Sequence, residues 1–300
     1  MPNYRKYLSP EVLSRISRLD LKARLIVEGF ISGLHKSPFH GFSVEFAEHR
    51  EYVPGDDIRH IDWKVYAKAD RFYIKRYEEE TNLKSYILLD SSESMRYSSN
   101  GMSKYEYGCH IAAALTFLLT RQQDAVGLVL FDNEIRKLIP PSSHPSMLKN
   151  LIDAVDAVAP GKKTRVAPVF HRLAEEIKRR GMIILISDLF VPVPELLKGL
   201  QHFKHRRHDV LLFHVMDPME VNFDFKENTL FKGMEGYPDL LAEPRSLRKA
   251  YRSAVQRFIT DVRRGSTAFR IDYNLIQTSE SLGTALSSYL ASRNRGRRGN

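Results

Sequence analysis

The sequence predicts an α/β fold: a Rossmann-like, doubly wound, mostly parallel six-stranded sheet with a small N-terminal α+β appendage. Three observations predict it. From residue 83 onward, apolar runs of strand length alternate with longer amphipathic stretches, the rhythm of a parallel sheet covered by helices. One run, "GMIILIS" (181–187), is apolar at almost every position, as in a strand buried on both faces. The first 80 residues break this rhythm and read as a separate piece.

In chain order, "PEVLSRISRLDLKARLIVEGFISG" has the spacing of an amphipathic helix or helix pair. "GFSVEFAEHREYV" and "RFYIKRYEEE" read as antiparallel strands flanking the turn-rich block "PGDDIRHIDWK". "SYILLD" (85–90) is the first strand of the main sheet, and a helix follows over about 105–123, with Ile111, Leu115, Leu118 and Leu119 on one face. "AVGLVLF" (125–131) and "EIRKLI" (134–139) read as a strand pair, closed by "PPSS" and followed by a helix near 145–158. A helix at 166–180 leads into strand 181–187, and one near 193–203 into "HDVLLFHV" (208–215). Helix 246–264, strand "FRIDYNLI" (269–276) and a last helix near 280–292 complete the count of six strands. Residues 1–82 are thus expected as the appendage, 83–292 as the α/β domain, and 293–300 as a basic tail. The alternating stretch 219–238 reads as a hairpin-like insertion on the sheet edge.

Composition narrows the class. The 300 residues are 43% hydrophobic and 27% charged, with a formal net charge of +10. That balance favours acidic partners, but the excess is concentrated in Lys204, Arg206 and Arg207 and in a tail bearing Arg293, Arg295, Arg297 and Arg298. The tail carries none of the interleaved aromatics that single-strand recognition uses. A lone cysteine, Cys109, excludes an internal disulfide and a cysteine zinc cluster. No run reaches the roughly 18 apolar residues of a membrane span, and the N-terminal stretch lacks the apolar core of a signal peptide. A cytoplasmic protein is expected.

The chemistry is concentrated in "ILLDSSESM" (87–95), where an apolar run ends on Asp90 and hydroxyls follow at Ser92 and Ser94. Ligands of doubly wound sheets bind beyond the carboxyl ends of the strands. Asp90 stands at one such end and Asp188, after "IILIS", at another, while Thr164 lies in the loop before the helix that feeds the second strand. Two carboxylates with neutral hydroxyls form an all-oxygen set suited to a hard divalent cation of magnesium size. Capping of the following turn is the purely structural alternative for Asp90 and Ser92.

This series resembles the metal-ion-dependent adhesion site of von Willebrand factor A domains. With "EHREYVPGDDIRHIDWKVYAKADRFYIKRYEEE", "DAVGLVLFD", "RHDVLLFHVMDPMEVNF" and "RKAYRSAVQRF", the chain resembles the Domain of Unknown Function 58 family over nearly its whole length. The resemblance implies a von Willebrand factor A-type sheet with Asp90, Ser92, Ser94, Thr164 and Asp188 as metal-site residues, holding Mg2+ (or Mn2+ or Ca2+). It further implies a bacterial or archaeal protein acting beside a MoxR-type AAA+ ATPase in the assembly or activation of a client protein, whose carboxylate completes the coordination. Lys162, Lys163 and Arg165 surround Thr164 where adhesion domains commonly carry neutral residues. Such a rim either weakens ion binding or steers an acidic partner toward it. Together with Glu93 these are candidate partner-binding residues.

Asp57, Arg59 and Trp63 in "PGDDIRHIDWK" are also candidates for partner binding. The first reading of that block, with partner recognition as the alternative, is a salt-bridge lattice fixing a loop, with Trp63 as its apolar anchor. EF-hand spacing is absent.

A non-catalytic binding or assembly factor is therefore expected. The alternatives are a metal-dependent hydrolase of phosphatase or nuclease type using Asp90 and Asp188, and a nucleic-acid binder argued from charge. Against the first, no G-x-S-x-G elbow surrounds either serine and Ser92 stands where phosphatase chemistry wants a second aspartate. No P-loop is present.

Overall fold

Parallel strands buried on both faces need apolar side chains at consecutive positions, and Met182–Ser187 (β6) is buried at all six of its residues. The computed structural model describes residues 44–53, 61–69, 71–79, 84–99, 101–121, 123–161, 166–234 and 236–283. Within these, 44–79 belong to one compact unit and 84–283 to another.

In the smaller unit, β1 (Val44–Glu51) pairs antiparallel with β2 (Tyr73–Glu79), and α1 (Trp63–Ala69) lies between them in sequence. Asp62 is buried and accepts from Val65 N at 3.3 Å, in the manner of a helix cap. Trp63, expected as a buried anchor, is 61% exposed instead. It is the first residue of α1 and meets Tyr66 and Phe72 edge-on at the surface. Of the described residues 61–63, Ile61 and Asp62 are buried and the tryptophan is not.

In the larger unit the elements run β3 (Lys84–Asp90), a 3-10 turn (Ser94–Arg96), α2 (Lys104–Arg121), β4 (Ala125–Phe131), β5 (Ile135–Ser142), α3 (Ser146–Ala157), α4 (Val166–Glu176), β6, α5 (Val193–His205), β7 (Asp209–Met216), α6 (Pro218–Asn222), β8 (Thr229–Phe231), β9 (Leu240–Ala242), α7 (Pro244–Ala268) and β10 (Asp272–Gln277). The six expected strands form one sheet in the order β10-β7-β6-β3-β4-β5, with β5 alone antiparallel. The stretch 219–238 begins in α6 and continues into β8, which pairs with β9 in a two-stranded sheet of its own. The expected C-terminal helix beyond 283 lies outside the described residues.

Alternation of side chains across the sheet divides the core. Leu88, Val129, Ile183, Leu185, Val210 and Leu212 pack on one face with α4, α5 and Val262 of α7. Leu89 and Ile186 point to the opposite face, where α2 approaches so closely that a Cβ on Gly108 would stand 2.8 Å from Leu89 Cδ1. Both faces are thus covered. The chain moves from β3 to β4 and β5 on one side, then returns to β6 on the other side of β3. The order of strands therefore reverses at β3, and the crevice beyond the carboxyl ends of β3 and β6 is the switch point where such folds bind ligands.

Candidate functional site

Asp90 is the last residue of β3 and is completely buried. The turn after it is fixed by its neighbour: Ser91 donates both its N–H (2.7 Å) and its hydroxyl (2.9 Å) to Phe131 O at the end of β4. Asp90 Oδ1 then accepts from Ser92 N at 2.9 Å, closing an Asx-type turn, and Oδ2 accepts from the Ser187 hydroxyl at 2.6 Å. The chain enters the 3-10 turn with Glu93 half-buried at its start, and this brings Ser92 Oγ and Ser94 Oγ to 3.1 Å of each other.

Asp188 follows β6 directly, and its neighbour Leu189 is held in the left-handed region at φ 59°. A branched residue adopts that conformation only when its surroundings impose it. Leu189 is fully buried and its N–H donates to Ser187 Oγ at 3.0 Å. Asp188 Oδ1 accepts from Phe190 N at 3.3 Å, and Oδ2 receives Lys104 Nζ at 2.7 Å.

Lys104, the first residue of α2, is completely buried. Its ammonium bridges Asp188 and Glu220 Oε1 (2.6 Å) and lies 4.5 Å from the centre of the Phe190 ring. Glu220 in turn accepts from Asp217 N at 2.9 Å while Asp217 caps α6 through Met219 N at 2.8 Å, a reciprocal capping box. Asp217 also accepts from Ser99 N (2.9 Å) and Ser99 Oγ (2.5 Å). One hydrogen-bonded chain therefore runs from Asp188 to the loop after the 3-10 turn.

The electrostatics of the two acids differ. Burial, and after it the charge of Asp188, push the Asp90 carboxyl up to about 7, although bonds from Ser187 and Ser92 pull it down. Lys104 is disfavoured as a cation by burial, but Asp188 and Glu220 outweigh this and raise its value. Burial also raises Glu220, against the pull of Lys104. Asp188 therefore has a resident counter-charge, whereas among the described residues no cation pairs with Asp90.

These residues fit a small hard cation on two counts. Two adjacent ligands of an octahedron with bonds of 2.0–2.1 Å stand about 3 Å apart, and the Ser92 and Ser94 hydroxyls are 3.1 Å apart. The Asp90 carboxylate, raised by burial and by a second acid, is a group whose charge a cation would relieve. Among the described residues, no three His, Cys, Asp or Glu side chains are grouped to hold a metal; hydroxyls beside Asp90 would complete an oxygen set. Thr164, Lys162, Lys163 and Arg165 lie outside the described residues, as do Asp57 and Arg59. Gly161, just before the threonine loop, donates its N–H to Ser91 O at 3.0 Å. Trp63 belongs to the smaller unit.

Sequence reasoning passed over Lys104, Ser187 and Glu220. Signals for each exist. A lysine on the first turn of a helix opposes the helix dipole, a local mismatch that marks a specific acidic partner. Ser187 is a lone polar residue in an apolar run, and "DPME" (217–220) has the spacing of a capping box.

Comparison with known proteins gives relatives of the same kind. Over 215 residues, 71% of this chain and 67% of theirs, it is 26% identical to the uncharacterized proteins Rv1480 of Mycobacterium tuberculosis and Mb1516 of Mycobacterium bovis. Among solved structures it is similar to the conserved hypothetical protein BatB from Bacteroides thetaiotaomicron (14% identity, TM-score 0.47), covering 71% of this chain and 99% of that one. It is also similar to an aerotolerance-related membrane protein from Bacteroides fragilis (16% identity, TM-score 0.43), covering 70% and 99%. No helix among the described residues is long and apolar enough to cross a membrane. Residues 48–260 match the family described as "Protein of unknown function DUF58", and the chain belongs to that family.

Proposed function

We propose that this chain is a non-catalytic, divalent-cation-dependent protein-binding factor. It acts in the cytoplasm with a MoxR-type AAA+ ATPase on a client protein. The observation that supports this reading is the turn at the switch point: a buried carboxylate that no cation among the described residues pairs with, beside two hydroxyls 3.1 Å apart. Asp90, Ser92, Ser94, Thr164 and Asp188 would hold Mg2+, Mn2+ or Ca2+. When bound, the ion supplies a Lewis-acidic position for a carboxylate of the partner. The protein's own part is to hold the donors in place. Ser91 pins the turn to β4, Ser187 orients Asp90, and Lys104 keeps Asp188 turned toward α2.

A ligand that binds only the folded chain at about 100 times its Kd adds about 2.7 kcal/mol of stability. For a domain of this size that is a rise in Tm of roughly 5–10 °C. Melting of the full chain in millimolar Mg2+, Mn2+ or Ca2+ is expected to exceed melting in chelator, with no such gain in Asp90→Ala. Indifference to all three ions ends the cation reading. Retention of the ATPase on the immobilised chain in Mg2+ and its loss in chelator is expected; retention unaffected by chelator places the contact elsewhere.

A further inference from the structure

At the cation site, Asp188 already serves one cation. Lys104 Nζ donates to Asp188 Oδ2 at 2.7 Å and to Glu220 Oε1 at 2.6 Å, with its side chain wholly buried. The other oxygen, Oδ1, accepts from Phe190 N at 3.3 Å, so both oxygens are engaged and the shorter bond goes to a full positive charge. Residues outside the proposed ligand set hold the ammonium there. The centre of the Phe190 ring lies 4.5 Å from it and that of the Tyr97 ring 5.9 Å, and the capping box of α6 fixes Glu220. Stability alone does not account for a lysine at this place. It stands on the first turn of α2, against the helix dipole, and exchanging a whole buried ion pair for apolar side chains is often neutral or stabilising.

An ion ligated by Asp188 would share that carboxylate with the ammonium, and Lys104 acts on such an ion in two opposing ways. Orienting a short side chain in advance favours binding by about fivefold at most. A like charge in contact with the same acid disfavours it by about tenfold to a thousandfold. Glu220 offsets only part of this repulsion, being bonded to the ammonium and one contact further from the ligand set. The repulsion wins. We infer that Lys104 acts through Asp188 as the positioning residue that sets the affinity of the cation site: its tethered ammonium competes with the divalent ion for that carboxylate and keeps the free chain's hold on the ion weak. This inference rests on the cation reading proposed above.

The test titrates Mn2+ into the full chain and reads the free ion by electron paramagnetic resonance, with circular dichroism to check the fold of each variant. Glu220→Gln is the reference, and Lys104→Met/Glu220→Gln removes the ammonium from it. The Kd of the double variant is expected to be lower by about tenfold or more, and adding Asp90→Ala should abolish the binding. Lys104→Gln/Glu220→Gln, whose amide can still donate to Asp188, should tighten binding likewise. It separates the charge from the loss of the side chain, and it carries the test if the methionine variant does not fold. Equal Kd values for these variants and the reference would make the lysine purely structural. Weaker binding without the ammonium would mean that it only orients Asp188. Either result overturns the inference and leaves the cation reading in place. Mn2+ bound by none of the chains, wild type and double variants included, ends the cation reading and the inference with it.

Discussion

Lys104 shows how one side chain sets the character of this site. Its ammonium is completely buried between Asp188 and Glu220, and removing one partner of a buried ion pair costs far more than the pair contributes. Lys104→Met would leave two acids facing each other without a cation. A loss of about 3–5 kcal/mol is expected in urea unfolding, with part of it recovered in Lys104→Met/Glu220→Gln, where one stranded charge is also removed. If Lys104→Met unfolds like the wild type, the ammonium is not the counter-charge of Asp188. Arginine is not an equivalent, since its planar fork is larger and prefers bidentate pairing.

Among the elements, α6 has an influence beyond its five residues. It is too short to hold itself by propagation, and its capping box does that work: Asp217 serves Met219 N, Ser99 N and Ser99 Oγ at once, and Glu220 reaches back to Asp217 N. Asp217→Ala is therefore expected to cost about 2 kcal/mol, the upper range for a cap, and to raise amide exchange in both 97–99 and 218–223. Faster exchange in α6 alone would show that the Ser99 loop is held by other contacts. The same element ends at Phe223 in the left-handed region at φ 49°, which turns the chain toward β8.

Stability of the whole molecule against pH combines two buried groups of opposite sign. Burial lowers His214 from 6.5 to about 4. The folded chain then binds fewer protons than the unfolded one, so this contribution is complete above pH 6.5 and is lost as pH falls toward 4. Asp90 is raised from 3.8 to about 7; its ionisation opposes folding, and that cost is relieved as pH falls through the same window. Comparing wild type with His214→Leu cancels the Asp90 share. In chelator, the variant's unfolding free energy should fall less steeply between pH 6.5 and 4, by at most about 1.4 kcal/mol per pH unit. The baseline offset, from the lost 2.8 Å contact of His214 Nδ1 with Tyr273, leaves this slope untouched. Parallel curves would mean that His214 titrates as it does in the unfolded chain.

Local chemistry alone determined the six strands, the helices between them and the turn at Asp90. Run length, apolar period and a serine-rich turn are written in neighbouring residues, and "GMIILIS" reads as a buried strand wherever it is placed. Tertiary structure decided that β6 lies beside β3, that Lys104 faces Asp188 across 84 residues, and that Trp63 lies at the surface. Strand order depends on which side of the sheet each crossover takes, and a buried ion pair joins residues with no common local pattern. Those choices are made by the packing of the whole sheet, so no short stretch of sequence records them.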